Sequence, residues 1–248
     1  MKIGKVLTFL ASASLMLIAG KAAAAPELLV ATDASNVPFE FRDGDHYSGF
    51  DIDLLAAIAK DLGVTFKLQA MDFNGILPAL QTRQVDAAIA SITIKPERQR
   101  VLDFSDPYYD SGFLLMVPIG SSIVDEKSLT GKTLAVKTGT AAVDYAKENL
   151  TETKLRLFPN IDNAYLEVAT GRADAAFHDA PSILYYIRTT GKDKVKSVGN
   201  LVMAQQYGIA FPKGSPWREK FNSALIRIRS GGEYNSIYKK WFGNPVLK

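Results

Sequence analysis

The stretch Leu28-Leu29-Val30-Ala31-Thr32-Asp33 decides the fold of this chain. A short run of apolar and β-branched residues that ends at an acid is typical of a buried strand in a parallel sheet. Turn residues at Asp43-Gly44-Asp45 predict a hairpin over 39–50, and a helix is predicted over 52–62 with Gly63 at its end. A strand followed by a helix indicates an α/β architecture.

Strands and helices alternate through the rest of the chain, and the pattern restarts near residue 133. Further strands are predicted over 64–68, 85–90, 133–137, 156–158, 173–177 and 207–211, and further helices over 75–82, 141–149, 163–170 and, in two pieces, 217–242. With 248 residues the chain is long enough for one large or two modest domains, and the restart of the pattern fits two better. We therefore predict an α/β protein of two lobes, each a mainly parallel sheet flanked by helices.

The composition argues against several classes of protein. An apolar share of 47% argues against disorder, and a formal charge of +3 is too small to indicate a nucleic-acid partner. Because the chain has no cysteine, a disulfide, a thiolate nucleophile and a cysteine-ligated metal are all excluded. With only His46 and His178, a multi-histidine metal centre is also disfavoured, so we expect neither a metal nor a cofactor.

The first 24 residues have the features of a signal peptide. Lys2, Lys5 and Lys21 bracket an apolar run that polar residues interrupt and alanines follow, whereas a membrane helix needs about 20 apolar residues. We expect cleavage after Ala24, with a retained N-terminal anchor as the alternative. Cleavage removes three lysines and no acid, so 26 basic residues face 26 acidic ones in the mature chain. A Gram-negative periplasm is the expected location, since no cysteine follows the apolar run to carry a lipid.

Polar side chains are concentrated where the predicted strands end. In open α/β sheets, ligands bind at the carboxyl edges of the strands, and a cleft between two lobes is a natural small-molecule site. Each edge residue alone would be explained as a turn or helix-capping residue, but their occurrence in both lobes favours a shared site. The edge residues are Asp33, Ser91, Thr93, Lys137 to Thr140, His178 and Asp179.

Arg98 follows Pro96 in the first turn of a short predicted helix. It could be a solvated helix charge, but a guanidinium also binds a carboxylate through two parallel hydrogen bonds. Asp179 would then complement an ammonium group. An arginine and an aspartate that face each other across a cleft suggest a receptor for an amino acid.

Longer stretches carry a more specific signal. They are Val37-Pro38-Phe39-Glu40-Phe41, Gly49-Phe50-Asp51, Met71-Asp72-Phe73, 76–82, Ile92-Thr93-Ile94 with Glu97-Arg98, Asp103-Phe104-Ser105-Asp106, Val143-Asp144-Tyr145-Ala146-Lys147, 158–165, 204–214 and 238–243. In these stretches, which span nearly the whole mature chain, the sequence resembles the periplasmic amino-acid-binding proteins of ABC importers (solute-binding protein family 3). Within that family it is most similar to the glutamine-binding branch of enteric bacteria.

The resemblance implies two lobes that are joined by two hinge strands and close over a ligand. We expect a large lobe over 25–107 and 208–248, hinge strands over 108–112 and 203–207, and a small lobe over 113–202. The implied partners are an amino acid and an inner-membrane ABC permease. We expect the protein to be a monomer.

The resemblance also implies how the backbone of an amino acid is held. Arg98 and the backbone of Thr93 would bind the α-carboxylate, with an N–H of Ala141 at a helix start adding to it. Asp179 would bind the ammonium, helped by Ser91 and Thr93.

The same resemblance assigns the ligand's side chain to a second group of residues. Asp33, Lys137 and His178 would address its polar end, and Phe73 would stack on its apolar stem. A side-chain amide needs both a donor and an acceptor, which this group supplies.

Three residues depart from the glutamine pattern. Asn36 replaces an aromatic residue, and Ser91 and Ala141 each replace a glycine. We keep glutamine as the first ligand because Lys137 and His178, if both charged, would repel a cationic side chain, although Asp33 partly offsets this. Arginine and glutamate are the alternatives.

Two other functions remain open from the sequence. A secreted dehydratase on the same scaffold would need a general acid in the cleft, and His178 is the candidate because Asp33 and Asp179 have ligand groups as partners. A sensor domain of a larger receptor would share the fold, but the chain ends shortly after Trp241-Phe242-Gly243, which favours a free-standing protein. We therefore expect a binding protein and not an enzyme.

Overall fold

The computed structural model describes residues 25–243, so the predicted signal peptide lies outside the described residues. The strands are β1 (Glu27–Thr32), β2 (Ser35–Asn36), β3 (Glu40–Asp43), β4 (His46–Ser48), β5 (Thr65–Ala70), β6 (Ala87–Ala88), β7 (Leu102–Phe104), β8 (Tyr109–Pro118), β9 (Thr133–Lys137), β10 (Lys154–Phe158), β11 (Ala175–Asp179), β12 (Val195–Tyr207) and β13 (Ala210–Pro212). The helices are α1 (Phe50–Leu62), α2 (Phe73–Gln81), α3 (Pro96–Gln99), α4 (Ala141–Asn149), α5 (Ile161–Ala169), α6 (Ala180–Arg188), α7 (Arg218–Ser230) and α8 (Glu233–Phe242), with a 3-10 turn at Glu126–Leu129. No helix among these residues is long and apolar enough to cross a lipid bilayer.

The large lobe is built on a five-stranded sheet of order β5-β1-β6-β13-β7. Val30 and Ala31 of β1 are fully buried at its centre, as the apolar run in the sequence predicts. The C-terminal helices α7 and α8 pack on α1, where Phe221 and Leu225 of α7 join Leu54 of α1 in one apolar core. The chain's last helices therefore return to the lobe in which the chain begins.

The small lobe has a second five-stranded sheet, of order β10-β9-β11-β8-β12. Helices α4, α5 and α6 pack on it and bury the apolar side chains of β9 and β11. The architecture is thus the predicted two-lobed α/β fold.

Four of the five strands in each sheet run in the same direction, which agrees with the expectation of mainly parallel sheets, and one strand in each sheet is reversed. β1 runs parallel to β5 and β6, but β13 is antiparallel to both of its neighbours. In the small lobe β9 runs parallel to β10 and β11, whereas β8 is antiparallel to β11 and β12. The physical reason is that β8 enters the small lobe from the other lobe and β13 follows the return crossing, so both run against the local strand direction.

Several predicted element bounds are corrected. The strand predicted over 85–90 is limited to β6, because the chain turns away at Ser91, where φ is +50°. The strand predicted over 173–177 extends to Asp179, so His178 and Asp179 lie inside β11 and do not follow it. The strand predicted over 207–211 is divided between β12 and β13 on either side of Gly208. A Cβ added at Gly208 would lie 2.9 Å from the side chain of Ile94.

Two long strands connect the lobes. Tyr109, Asp110 and Ser111 of β8 pair with Tyr207, Gln206 and Gln205 of β12 in an antiparallel ladder at the point where both leave the large lobe. The rings of Tyr109 and Tyr207 stack with centroids 5.7 Å apart. The lobes are therefore joined by a paired ladder with a packed aromatic face.

Candidate functional site

A small cavity lies between the two lobes and has residues of both in its wall. Its volume is about 10 Å³, room for about one water molecule. The wall contains eight of the nine residues that the sequence predicts for the site; the ninth, Arg98, lies beside it. The lining residues are Asp33, Asn36, Phe73, Ala90, Ser91, Thr93, Phe113, Lys137, Thr140, Ala141, His178 and Asp179.

Arg98 lies in the short helix α3 and is 7% exposed. Its guanidinium donates to the carbonyl oxygen of Thr93 at 3.0 Å and to that of Gly139 at 3.2 Å. Its Cζ lies 5.8 Å from the centroid of the Phe73 ring. The first carbonyl belongs to the large lobe and the second to the small lobe. The guanidinium therefore bridges the closed cleft next to the cavity.

The N-terminus of α4 lies next to this guanidinium. Thr140 occupies the N-cap position, but its hydroxyl donates to the carbonyl of Lys137 at 2.7 Å and makes no capping hydrogen bond. The first N–H groups of a helix have no partner within the helix, and this end of the helix dipole favours an anion. The N-terminus of α4 at Ala141 therefore favours an anion, as the guanidinium of Arg98 does.

Asp179 supplies the acidic group of the cavity. It ends β11 and accepts a hydrogen bond from Nε2 of Gln205 at 2.5 Å, while Oε1 of Gln205 accepts one from the hydroxyl of Thr93 at 2.7 Å. Burial raises the pKa of Asp179 to about 7, although hydrogen bonds from Tyr207 and Gln205 act in the opposite direction. The carboxyl is therefore poised to become charged when a cation approaches it. Gln205 was missed by the sequence analysis, although it lies in the quoted stretch 204–214.

Lys137 and Asp33 form a buried ion pair between the lobes. The ammonium of Lys137 is in direct contact with Oδ2 of Asp33, and both side chains are at most 6% exposed. Ser35 donates to the other oxygen of Asp33 at 2.9 Å. The pair places one positive and one negative charge in the wall, and these largely compensate each other.

His178 is neutral, which corrects part of the charge argument from sequence. Burial, together with the charge of Lys137, lowers the pKa of His178 to about 3. Its Nδ1 lies 3.7 Å from Asp179, too far for a hydrogen bond, and has no hydrogen-bond partner among the described residues. The repulsion of a cationic side chain was expected only if Lys137 and His178 are both charged, and His178 does not meet that condition.

A buried pair of acids lies behind Ser91, and the sequence analysis missed it. Asp51 accepts hydrogen bonds from the N–H of Ser91 and the hydroxyl of Tyr108, both at 2.8 Å, while Glu40 accepts one from the hydroxyl of Ser91 at 3.2 Å. Burial raises the pKa of both carboxyls, that of Asp51 to about 7, and the charge of Asp51 raises the pKa of Glu40 further. Two buried neighbouring carboxyls cannot both ionise cheaply, so a protonated carboxyl is favoured there. Both lie in quoted stretches of the sequence, but no pattern there shows that they meet.

The arrangement can bind a small zwitterion with a polar side chain. The start of α4 and Asp179 line the cavity and Arg98 lies beside it, while Asp33 and Lys137 add polar atoms with little net charge to the wall. Phe73 supplies an apolar face between these groups.

Comparison with known proteins supports this interpretation of the cleft. The family model of bacterial extracellular solute-binding proteins, family 3, matches residues 28–244. The arginine-binding extracellular protein ArtP of Bacillus subtilis (strain 168) is 34% identical over 220 residues, which cover 87% of this chain and 86% of that protein. The ABC transporter glutamine-binding protein GlnH of the same organism is 34% identical over 218 residues, 86% of this chain and 79% of that protein.

A solved structure, an ancestral arginine-binding protein bound to glutamine, is 41% identical and has a TM-score of 0.84 over 88% of this chain and 98% of that one. The family match covers most of this chain, and the sequence relatives and the solved structure agree with it. This chain belongs to the bacterial extracellular solute-binding proteins, family 3.

Proposed function

We propose that this protein is a periplasmic receptor that binds glutamine between its two lobes and delivers it to an ABC permease. The observation that carries the proposal is the pairing of opposite charges at one cavity: Arg98 lies beside the cavity and Asp179 lies in its wall, with contributions from both lobes. Relatives named as arginine-binding and glutamine-binding proteins support an amino acid as the ligand.

The α-carboxylate is assigned to Arg98 and the N-terminus of α4. The guanidinium already donates to backbone carbonyls of both lobes at 3.0 and 3.2 Å, so a carboxylate would replace neutral acceptors with a charged one. Hydrogen bonds to a charged partner are roughly twice as strong as neutral ones. The ammonium is assigned to Asp179. It would displace the amide of Gln205 from that carboxylate or bind beside it.

The side chain is assigned to the wall of Asp33, Lys137 and His178. A guanidinium would meet the ammonium of Lys137, and a carboxylate would meet Asp33, so either charged side chain would break a buried ion pair at high cost. A neutral amide offers a donor to Asp33 and an acceptor to Lys137 without adding charge. This comparison favours glutamine over arginine and glutamate.

Entry of the ligand requires the lobes to part. A cavity of about 10 Å³ cannot admit an amino acid, and the lobes are held together by contacts such as Lys137 with Asp33 and Lys95 with Asp144. We place the hinge at 108–112 and 203–207, where β8 and β12 pair. Binding and closing would then be one coupled event, and the monomer is the functional unit.

The proposal is for a receptor without turnover. The carboxyls of Asp33 and Asp179 are committed to Lys137 and to the ligand's ammonium, and the neutral His178 has too low a pKa to act as a general acid. Incubation with prephenate or arogenate should therefore yield no aromatic product.

Isothermal titration tests the proposal. The mature chain, residues 25–248, is unfolded, dialysed and refolded to remove bound ligand, then titrated with each of the twenty amino acids. We expect glutamine to bind most tightly, with arginine and glutamate weaker by at least about tenfold. If arginine binds most tightly, glutamine is the wrong ligand but the protein is still an amino-acid receptor. If no amino acid gives heat, both the ligand and the receptor function are wrong.

A further inference from the structure

A second cavity lies next to the cleft, between α5 and α6. This α5–α6 groove has a volume of about 380 Å³ and is lined by side chains that include Asp162, Tyr165, Ser182 and Tyr186 of the small lobe and Val37 of the large lobe. It is large enough for the end of a long side chain, unlike the cleft cavity of about 10 Å³. Its lining combines aromatic rings with one acid.

Only one layer of side chains separates the groove from the cleft cavity. Ser182 lines the groove and donates from its hydroxyl to Oδ1 of Asn36 at 2.8 Å, while Asn36 lines the cleft cavity. Next to this pair, the ring of Tyr165, in the groove, meets the ring of His178, in the cleft cavity, edge-on at 6.1 Å. Asn36 is 4% exposed and Ser182 is 1% exposed, so their hydrogen bond is sealed from solvent.

The wall stands at the side-chain end of the cleft. His178, which is assigned to the ligand's side chain, meets the ring of Tyr165 at this wall, so the groove lies beside the side-chain pocket. Asn36 also donates from Nδ2 to the hydroxyl of Ser91 at 3.1 Å, which fixes the amide so that its oxygen faces Ser182. Because Asn36 belongs to the large lobe and Ser182 to the small lobe, the wall is complete only when the lobes are closed.

The groove itself has features that suit the polar end of a ligand. The hydroxyl of Tyr165 is buried and has no hydrogen-bond partner among residues 25–243. Tyrosine rings next to a carboxylate bind a guanidinium through its faces and its N–H groups.

We propose that the Asn36–Ser182 hydrogen bond is the end wall of the side-chain pocket and limits ligands to the length of glutamine, and that its removal joins the pocket to the α5–α6 groove and admits the longer side chains of citrulline and arginine. This inference rests on the proposed function. It makes Asn36 and Ser182 determinants of specificity that act by limiting length, whereas the ion pair of Lys137 and Asp33 acts through charge.

The test measures affinity against side-chain length. Asparagine, glutamine, citrulline and arginine are titrated into the wild-type mature protein and into the double variant Asn36→Ala/Ser182→Ala. Citrulline has the length of arginine without its charge, so it separates length from charge. The matched control is Ser236→Ala, which removes the hydroxyl of an exposed serine in α8 that donates to its own helix at 3.2 Å.

In the wild type and the control we expect citrulline to bind at least about 100-fold more weakly than glutamine, and in the double variant we expect this ratio to shrink by about tenfold or more. Adding Asp162→Asn to the double variant should weaken arginine more than citrulline. Ser182→Ala alone should change the ratio in the same direction by less, which keeps the inference testable if the double variant does not fold.

Two results would overturn the inference while leaving the proposed function intact. One is a wild type that binds citrulline as well as glutamine, and the other is an unchanged ratio in a folded double variant. If no amino acid binds the wild type, the proposed function is wrong, and the inference about the wall is then wrong as well.

Discussion

Arg98 and Asp33 are both buried beside the cleft, but they serve different parts of the proposed ligand. Arg98→Ala removes the guanidinium that spans both lobes, so binding of every amino acid should fall by at least about 100-fold. Asp33→Ala leaves that group in place and frees the ammonium of Lys137, so it should shift preference from glutamine toward glutamate. Titration of both variants with glutamine, glutamate and arginine measures this. Equal losses for all three ligands in both variants would contradict the division into a common clamp and a side-chain pocket.

Asp179 makes the affinity depend on pH. Its pKa is raised to about 7 by burial, but it must be ionised to bind an ammonium, so ligand binding expels a proton below pH 7. We expect affinity to fall by up to about tenfold for each pH unit below 7 and to level off above it. Titration at pH 5 to 8 in buffers of different ionisation heat measures both effects.

Asp51 provides the control for that pH profile, because its pKa is also raised to about 7 but its carboxyl is hydrogen-bonded to Ser91 and Tyr108 and does not line the cleft cavity. Asp51→Asn should keep the same slope. An affinity that does not change between pH 5 and 8 would contradict the role of Asp179.

Sequence reasoning named most of the residues that line the cavity, because the ends of strands can be read from local patterns. Asp33 follows β1, Lys137 ends β9, and both line the cavity; their roles in binding stay predictions. Glu40, Asp51 and Gln205 were missed because their partners are remote: Gln205 bonds Asp179 and Thr93, 26 and 112 residues away. The neutral state of His178 was missed as well, since burial sets its pKa and no local pattern reports burial.

At the scale of elements, the loop before α4 must approach the start of α2 closely. Gly139 has a φ of +77°, and a Cβ there would lie 3.1 Å from Cα of Asn74 in the large lobe. Gly139→Ala should therefore hinder closure and weaken glutamine binding by about fivefold or more, beyond the cost of a left-handed alanine.

Gly171→Ala is the matched control for this loop. Gly171 has a φ of +73°, and a Cβ there would have no atom within 4 Å. It should lose similar stability to Gly139→Ala in thermal unfolding but keep its affinity. Equal affinities of the two variants would mean that this contact plays no part in closure.

The ion pair of Lys95 and Asp144 joins the segment before α3 to α4 across the cleft at 2.8 Å. Because Asp144 is half exposed, its removal in Asp144→Asn should weaken glutamine binding only about two- to fivefold, mainly through faster dissociation. Glu97→Gln removes the other partner of Lys95, at 2.9 Å, without touching the small lobe, and should leave the dissociation rate unchanged. Stopped-flow displacement gives these rates, and identical rates in both variants would contradict a closing role for the pair.

The positions of helices and strands could be predicted from the sequence where a single local pattern decides them. The prediction of 133–137 as a strand and 141–149 as a helix matches β9 and α4 residue by residue. The one reversed strand in each sheet did not follow, because it depends on how two crossing strands enter a lobe that is assembled from distant segments. The early end of β6 could not be predicted for the same reason. It is set by the turn at Ser91, whose N–H donates to the buried carboxyl of Asp51.

For the whole molecule, the two lobes and the family could be inferred from sequence, but the closed cleft could not. Closure depends on contacts such as Asn36 with Ser182 and Lys137 with Asp33, which join residues 146 and 104 positions apart. These contacts narrow the cavity to about 10 Å³, so the central claim is that binding and lobe closure are the same event.

Opening about a hinge at β8 and β12 should move the opposite edges of the two sheets, β5 and β10, the farthest. The chain has no native cysteine, so spin labels at the exposed positions Gln69→Cys in β5 and Leu157→Cys in β10 report on the distance between the lobes. The decisive measurement is this label-to-label distance in ligand-stripped protein with and without saturating glutamine. We expect a broad distribution with a long component that glutamine converts to a single shorter distance. The same distribution with and without saturating glutamine would contradict the coupling of binding to closure.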